Sequence, residues 1–270
     1  MDFREIETRG LVLLGCGQMG SAMLRGWLAN GLSPRAVHVL DPRPSDWVRA
    51  QGVHINQPLP GSPAVVLVAV KPQMMAEALP ALAAMGGGAT LFVTVAAGTT
   101  ITTYERVLGA ATPVIRAMPN TPAAIAQGIT AITGNAATTP AHMDLAEGLL
   151  TAIGQVVRLE GEHQMDAVTA VSGSGPAYVF HMIEALAAAA EAEGLAPHLA
   201  MTLAKATVAG AGALAKASDE PPARLRQNVT SPGGTTQAGL NILMDAETGL
   251  TQLMTRTVHA AAERGRELGK

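Results

Sequence analysis

Apolar residues along this chain fall into two kinds of run. In the first part they come as short uninterrupted blocks. Leu11–Leu14 and Val65–Val70 show no polar alternation, the pattern of strands buried on both faces of a parallel sheet. Val37–Leu40, Thr90–Val95 and Pro113–Ala117 read as further strands, and Gly128–Thr133 and Gln155–Leu159 are placed to add two more. Between them lie helical patterns. One carries Met23, Leu24, Trp27 and Leu28 and closes at Asn30-Gly31; a second, Met74–Met85, is interrupted near Pro80; a third spans Ala141–Ile153. Strands alternating with helices to about residue 160 predict a doubly wound, mostly parallel sheet.

Beyond residue 160 the strand signals stop and long Ala/Leu helices take over. A helix begins at Pro176, which suits a first helical position, and runs to Glu193-Gly194. A second follows Pro197 and ends near Ala217, a short one covers Ala223–Val229, and the last spans about Leu250–Leu268. Gly210 and Gly212 inside the second each cost roughly 1 kcal/mol against Ala, which points to a close helix crossing. The expected architecture is therefore an α/β Rossmann-type domain over 1–160 and an all-α domain over 161–270.

Composition narrows the function classes. A length of 270 residues allows two domains, and a net charge of −3 gives no electrostatic footprint for nucleic acid or an anionic membrane. With 48% hydrophobic but only 3% aromatic residues, the core must be built from Ala, Val, Leu, Ile and Met. Cys16 is the single cysteine, which excludes disulfide stapling and suits a reducing compartment. The charged N-terminal stretch is unlike a signal peptide, and no uncharged apolar run reaches the ~18 residues of a spanning helix, so a cytoplasmic protein is expected.

Two stretches carry candidate chemistry. The first strand runs into Gly15-Cys16-Gly17-Gln18-Met19-Gly20 and then a helix. In that context G-x-G-x-x-G is a dinucleotide fingerprint: a tight turn at Gly15, close approach to a pyrophosphate at Gly17, helix–strand packing at Gly20. The alternative is a turn needed only for packing. Asp41 follows the last glycine by about 20 residues, where an acid bonds the ribose 2′-hydroxyl of NAD. Arg43 points the opposite way, toward the 2′-phosphate of NADP; the plainer alternative is a solvated surface charge. Further along, Lys71-Pro72, Ala96-Ala97-Gly98 and Met118–Pro122 all follow strands, on the sheet edge where open α/β folds bind ligands. The second stretch is Ser231-Pro232-Gly233-Gly234-Thr235-Thr236 before a helical pattern. Its glycines can bring several N–H groups to one point at a helix N-terminus, a place for a carboxylate, and three hydroxyls stand beside it. The plainer alternative is an N-cap. No metal-ligand spacing occurs, and His181 and His259 sit in apolar helical contexts that suit packing.

Taken together, GCGQMG (15–20), AVKPQ (69–73), AAGTT (96–100), RAMPNTP (116–122), DAVTAVSGSGPAY (166–178) and LRQNVTSPGGTTQAGL (225–240) resemble the Δ1-pyrroline-5-carboxylate reductase family. The resemblance covers essentially the whole chain, and its last two motifs are the specific ones. It implies reduction of (S)-1-pyrroline-5-carboxylate to L-proline by hydride transfer from NAD(P)H, the final step of proline biosynthesis. It also implies a homodimer through interleaved helical domains, with dimers assembled into rings.

The resemblance assigns residues as well. Ser231 and the backbone of Gly233, Gly234 and Thr235 would hold the substrate carboxylate, and the Thr236 hydroxyl would lie beside the ring nitrogen. Glu162 matches a position lining the proline site. Gly15–Gly20, Asn56, Ala69-Val70-Lys71-Pro72, Ala96-Ala97-Gly98, Asn120 and Asn228 map onto the dinucleotide. Asp41 departs from the family's pattern for NADPH, so the expectation is NADPH with NADH also used. A β-hydroxyacid dehydrogenase or an imine reductase for another ring shares the fold plan. The former needs an interdomain-helix lysine, and neither Lys205 nor Lys216 sits in such a motif.

Overall fold

The computed structural model describes residues 2–269. They form two compact units: a sheet unit of residues 2–173 with 262–269, and a helical unit of residues 174–261. The segment after residue 160, expected with the helices, thus counts with the sheet up to Gly173.

In chain order the sheet unit carries α1 (Arg4–Arg9), β1 (Leu11–Leu14), α2 (Gln18–Ala29), β2 (Val37–Leu40), α3 (Asp46–Arg49), β3 (His54–Ile55), β4 (Val65–Val68), α4 (Met75–Ala78), β5 (Leu91–Thr94), α5 (Ile101–Leu108), β6 (Val114–Met118), β7 (Gly128–Gly134), α6 (Pro140–Leu150), β8 (Gly154–Arg158) and α7 (Met165–Val168). The strands form one sheet in the order β3-β2-β1-β4-β5-β6-β7-β8. Every neighbouring pair is parallel except β6 and β7. That reversal follows from the link between them: the short segment holding a 3₁₀ turn at Thr121–Ile125 is too brief for a parallel crossover.

Alternate residues of each strand face opposite layers. Leu11, Leu13, Val39, Leu67, Val93 and Ile115 pack with Trp27 of α2 and Leu149 and Leu150 of α6. Val12, Leu14, Val66, Val68 and Phe92 pack on the other side with Leu79, Leu82 and Tyr104. Burial on both faces is why these strands read as unbroken apolar runs. The stretch expected as one helix over Met74–Met85 is α4 followed by a 3₁₀ stretch, Leu79–Met85, because Pro80 lacks the N–H a continuing α-helix needs. Helix α5 had no counterpart in the sequence reading, although Ile101, Tyr104 and Leu108 form its buried face at spacings of three and four. Helix α1 was also unforeseen; it buries Ile6.

The helical unit holds α8 (Gly175–Ala192), α9 (Pro197–Ala217), α10 (Pro222–Asn228), α11 (Thr235–Leu243) and the first part of α12 (Leu250–Leu268). Helices α8 and α9 meet through Ala187, Ala200 and Ala204. A Cβ on Gly210 or Gly212 would meet nothing within 4 Å, so among the described residues the crossing expected there is not made. Among the described residues no helix is long and apolar enough to cross a membrane.

Candidate active site

Strand register brings the sheet-unit candidates to one edge. Leu14 of β1 lies level with Leu40 of β2 and Val68 of β4, so Gly15, Asp41 and Ala69 leave the sheet side by side. Two ladder bonds fix them: Gly15 N–H donates to Leu40 O at 2.8 Å and Ala69 N–H to Leu14 O at 2.8 Å. Val68 is level with Thr94, and Thr94 with Arg116, which adds Ala96–Gly98 and Asn120 to the same edge. This is the carboxyl end of the strands, and the order reverses between β1 and β4, the crevice in which such sheets bind dinucleotides.

The three fingerprint glycines divide their roles. Gly15 has φ +85°, and a Cβ there would lie 2.9 Å from Val70 Cγ1 and 3.0 Å from the Ala69 carbonyl. A Cβ on Gly20 would fall 2.4 Å from Gly15 O, so this glycine lets α2 touch the turn. Gly17 alone faces open space, with nothing within 4 Å of a Cβ. It is also the N-cap of α2 and has no side-chain cap, so the positive end of a 12-residue helix is presented at the spot where only a hydrogen atom intrudes. An anionic pyrophosphate fits this cradle. Gln18 is exposed and Met19 half-buried at the same helix start. Cys16 is buried, and burial pushes its thiol above the ordinary range, which suits a packed residue and not a nucleophile.

Asp41 is tied into the loop. Its Oδ2 accepts from Cys16 N–H at 2.7 Å and its Oδ1 from Arg43 N–H at 2.8 Å. The carboxylate expected at a ribose therefore also braces the glycine turn, and two main-chain donors offset its charge. Asn56, at φ 52°, bonds both main-chain groups of Asp41: it accepts from Asp41 N–H at 3.0 Å and donates to Asp41 O at 2.8 Å. Its side chain thus shapes the second-strand exit. The Arg43 side chain is exposed and makes no ion pair among the described residues.

Lys71 and Pro72 are exposed, while Ala69 and Val70 are half-buried beside Gly15. In the 96–100 loop Ala96 is buried, Ala97 exposed, and Gly98 has φ 73°. The Asn120 amide joins two segments, accepting from Ile129 N–H at 3.0 Å and donating to Ser172 O at 3.1 Å. Tyr104 beneath this edge is fully buried against Thr94, and burial pushes its phenol up to about 12, out of range for proton transfer near neutrality.

Glu162, expected beside the substrate, is engaged within the sheet unit. Its Oε1 accepts from Arg116 Nη1 at 2.7 Å and from Ile101 N–H at 2.9 Å. Its charge is thus already balanced within the sheet unit by an arginine only 6% exposed. The sequence motif assigns Arg116 no role; its signal is a charged residue inside an apolar strand.

The remaining candidates lie in the helical unit. The Ser231–Gly234 turn closes with Gly234 N–H donating to Ser231 O at 3.0 Å, and Gly233 takes φ 69°, a conformation that costs glycine little. Gly234 caps α11 without a side-chain bond, so the first N–H groups of α11, beginning at Thr235 and Thr236, have no capping side chain. Ser231, Thr235 and Thr236 are all exposed beside them. Nothing lies within 4 Å of a Cβ on Gly233, which leaves room over the turn. Asn228, at the end of α10, donates to Glu220 Oε2 at 2.9 Å.

Comparison with known proteins accounts for both halves. A family model described as pyrroline-5-carboxylate reductase dimerisation matches residues 162–268, and one described as NADP oxidoreductase coenzyme F420-dependent matches residues 10–98. The chain is 36% identical to a pyrroline-5-carboxylate reductase of Pseudomonas aeruginosa, over 98% of each chain. It is similar to the solved structure of a pyrroline-5-carboxylate reductase from Coxiella burnetii, with a TM-score of 0.91 and 34% identity over 97% of this chain and 99% of that one. It also matches the Plasmodium falciparum pyrroline carboxylate reductase crystallised with NADP bound, with a TM-score of 0.82 and 27% identity over 98% and 99% of the two chains. With near full-length identity above 30% to several pyrroline-5-carboxylate reductases, the chain belongs to the pyrroline-5-carboxylate reductase family.

Proposed function

We propose that this protein reduces (S)-1-pyrroline-5-carboxylate to L-proline, using NADPH in preference to NADH. The observation that carries the substrate assignment is the 231–236 turn: an open glycine at φ 69°, a helix N-terminus without a capping side chain, and three exposed hydroxyls. Such a turn takes one carboxylate, with the Ser231 hydroxyl and the Gly233 and Thr235 N–H groups as donors, while the Gly234 N–H is held by Ser231 O at 3.0 Å. Anchored there, a five-membered imine has its nitrogen within reach of a neighbouring hydroxyl, and we assign that contact to Thr236.

When bound, NADPH supplies a hydride to the imine carbon. The chain's own residues do the rest. The turn fixes the ring by its carboxylate, so orientation is settled before reaction. Thr236 holds a hydrogen bond at the nitrogen, which gains one proton as the C=N bond becomes CH–NH. A threonine hydroxyl is a poor acid, and the imine can enter already protonated; the role assigned to Thr236 is to orient and stabilise that charge. For the cofactor we assign the Gly15–Gly20 turn, braced by Asp41 and Asn56, together with Ala69–Pro72, Ala96–Gly98, Asn120 and Asn228. Arg43 is assigned to the 2′-phosphate, because Asp41's charge is already offset by the Cys16 and Arg43 N–H groups.

The helical unit carries the second half of the reading. Its exposed apolar residues support a homodimer formed through α8–α12, with dimers assembled further into a ring. The test is oxidation of NADPH and NADH, in parallel, by the purified protein with 1-pyrroline-5-carboxylate. Turnover that collapses in Thr236→Ala and Ser231→Ala supports the assignment. A folded, NADPH-binding protein with no turnover overturns it.

A further inference from the structure

The 96–100 loop is anchored at its two ends by different means. At its start, Val95 N–H continues the sheet ladder to Val68 O at 3.0 Å, and Ala96 N–H reaches Thr94 Oγ1 at 3.3 Å. At its end α5 begins, and its N-cap Thr100 makes no side-chain cap; the Thr100 hydroxyl turns to Thr103 Oγ1 at 3.1 Å. The N–H of Ile101 is taken instead by Glu162 Oε1, from 61 residues further along the chain. The same oxygen accepts from Arg116 Nη1, on β6.

A cap alone does not need this arrangement. A neutral acceptor would satisfy the Ile101 N–H without drawing in a charged pair whose side chains are 7% (Arg116) and 29% (Glu162) exposed. What the charged pair adds is a link between α5 and β6. The loop before α5 and the loop after β6 lie on the same sheet edge, beyond β5 and β6. In a doubly wound sheet whose order reverses between β1 and β4, the adenosine half falls on the β1–β2 side and the nicotinamide half on the β4–β5–β6 side.

We propose that Glu162 and Arg116 are positioning residues that hold the 96–100 loop in register with the 119–121 loop for the nicotinamide half of the cofactor. This inference rests on the proposed function only for the identity of the cofactor. Because the effect is local to one half, it separates two ligands. In Glu162→Gln the Ile101 N–H keeps an oxygen partner while Arg116 loses its counter-charge. NADPH binding, followed by fluorescence, should then weaken about tenfold, a typical coupling effect. The Kd for 2′,5′-ADP, which carries the adenosine half alone, should stay within about twofold of wild type. Arg116→Lys, which keeps the charge but loses the fork geometry, should show the same split to a smaller degree.

Equal weakening of both ligands, or of neither, overturns the proposal and leaves the pair a purely structural one. A raised KM for pyrroline-5-carboxylate with an unchanged NADPH Kd also overturns it and returns Glu162 to the substrate site. If neither variant folds, the pair belongs to the fold alone. Wild-type protein that binds NADPH but does not turn over the imine sinks the functional reading and leaves this one standing, since it is read on binding.

Discussion

The sheet unit buries Trp27, Tyr104, Phe92 and a long series of Leu, Val and Ile side chains, whereas the buried hydrophobic cluster of the helical unit consists of three alanines. In the helical unit Phe180, Leu214 and Ile242 stand 58%, 56% and 75% exposed. The two regions share one chain, and the difference lies in what each can complete by itself. A sheet with helices on both faces closes its own core. Five helices whose apolar faces outnumber their contacts do not, and patches of this kind mark an interface. The first region completes its core within the chain; the second leaves apolar faces uncovered, and it is the region that the dimerisation family model matches.

That contrast can be attacked in order of expected effect. Trp27→Ala removes a fully buried ring whose Nε1 donates to Leu149 O at 2.8 Å, and should cost about 3–5 kcal/mol in urea unfolding. An unchanged midpoint would mean the sheet core is not self-sufficient. Thr236→Ala, in an exposed turn, should instead leave the thermal midpoint alone and lower kcat on the order of 100-fold, about 2.7 kcal/mol. Leu203→Asp in α9 changes a residue 47% exposed in the single chain. It should shift light-scattering mass toward monomer and make the thermal midpoint depend on concentration, an effect of roughly 2 kcal/mol per subunit. A variant with unaltered mass would place the interface on another face.

Two smaller effects belong to the sheet unit. Arg43→Ala should raise KM for NADPH several-fold, about 1 kcal/mol, and leave KM for NADH unchanged. Unchanged values for both would return Arg43 to the surface. The smallest effect is one of pH. His38 stacks on His54 with ring centroids 4.5 Å apart, and its buried Nδ1 has no hydrogen-bond partner among the described residues. Burial first, and then the neighbouring His54, hold its pKa below the ordinary value of 6.5. The unfolded chain therefore binds the proton more readily, so stability is full above about pH 6.5 and falls as the pH drops toward the lowered native value. Replacing His38 with Gln should flatten this part of the stability profile between pH 7 and 5; an unchanged slope would assign it to other groups.

Legibility in the sequence followed the same division. The runs Leu11–Leu14 and Val65–Val68 announced buried parallel strands because burial on both faces removes polar alternation. Helix α9 was readable to its ends, Pro197 and Ala217, since proline marks a first turn. The turns at 15–20 and 231–234 were legible because glycine at positive φ or close approach leaves little choice of residue. Helix α5 was missed beside the AAGTT loop although its buried face was present in the pattern, and the reversal of β7 depended on a connection whose length mattered more than its residues.

The sequence by itself determined the alternation of elements, the two glycine turns and the family. Those depend on local geometry and on residue types that little else can replace. Only the tertiary structure decided that Asp41 braces the glycine loop, that Asn120 joins β7 to the 169–173 segment, and that Glu162 closes on Arg116 and the start of α5. Each of those side chains is polar, and which of many possible partners it takes is fixed by where the backbone carries both groups. Separations of 25, 46 and 52 residues leave no periodic trace along the chain.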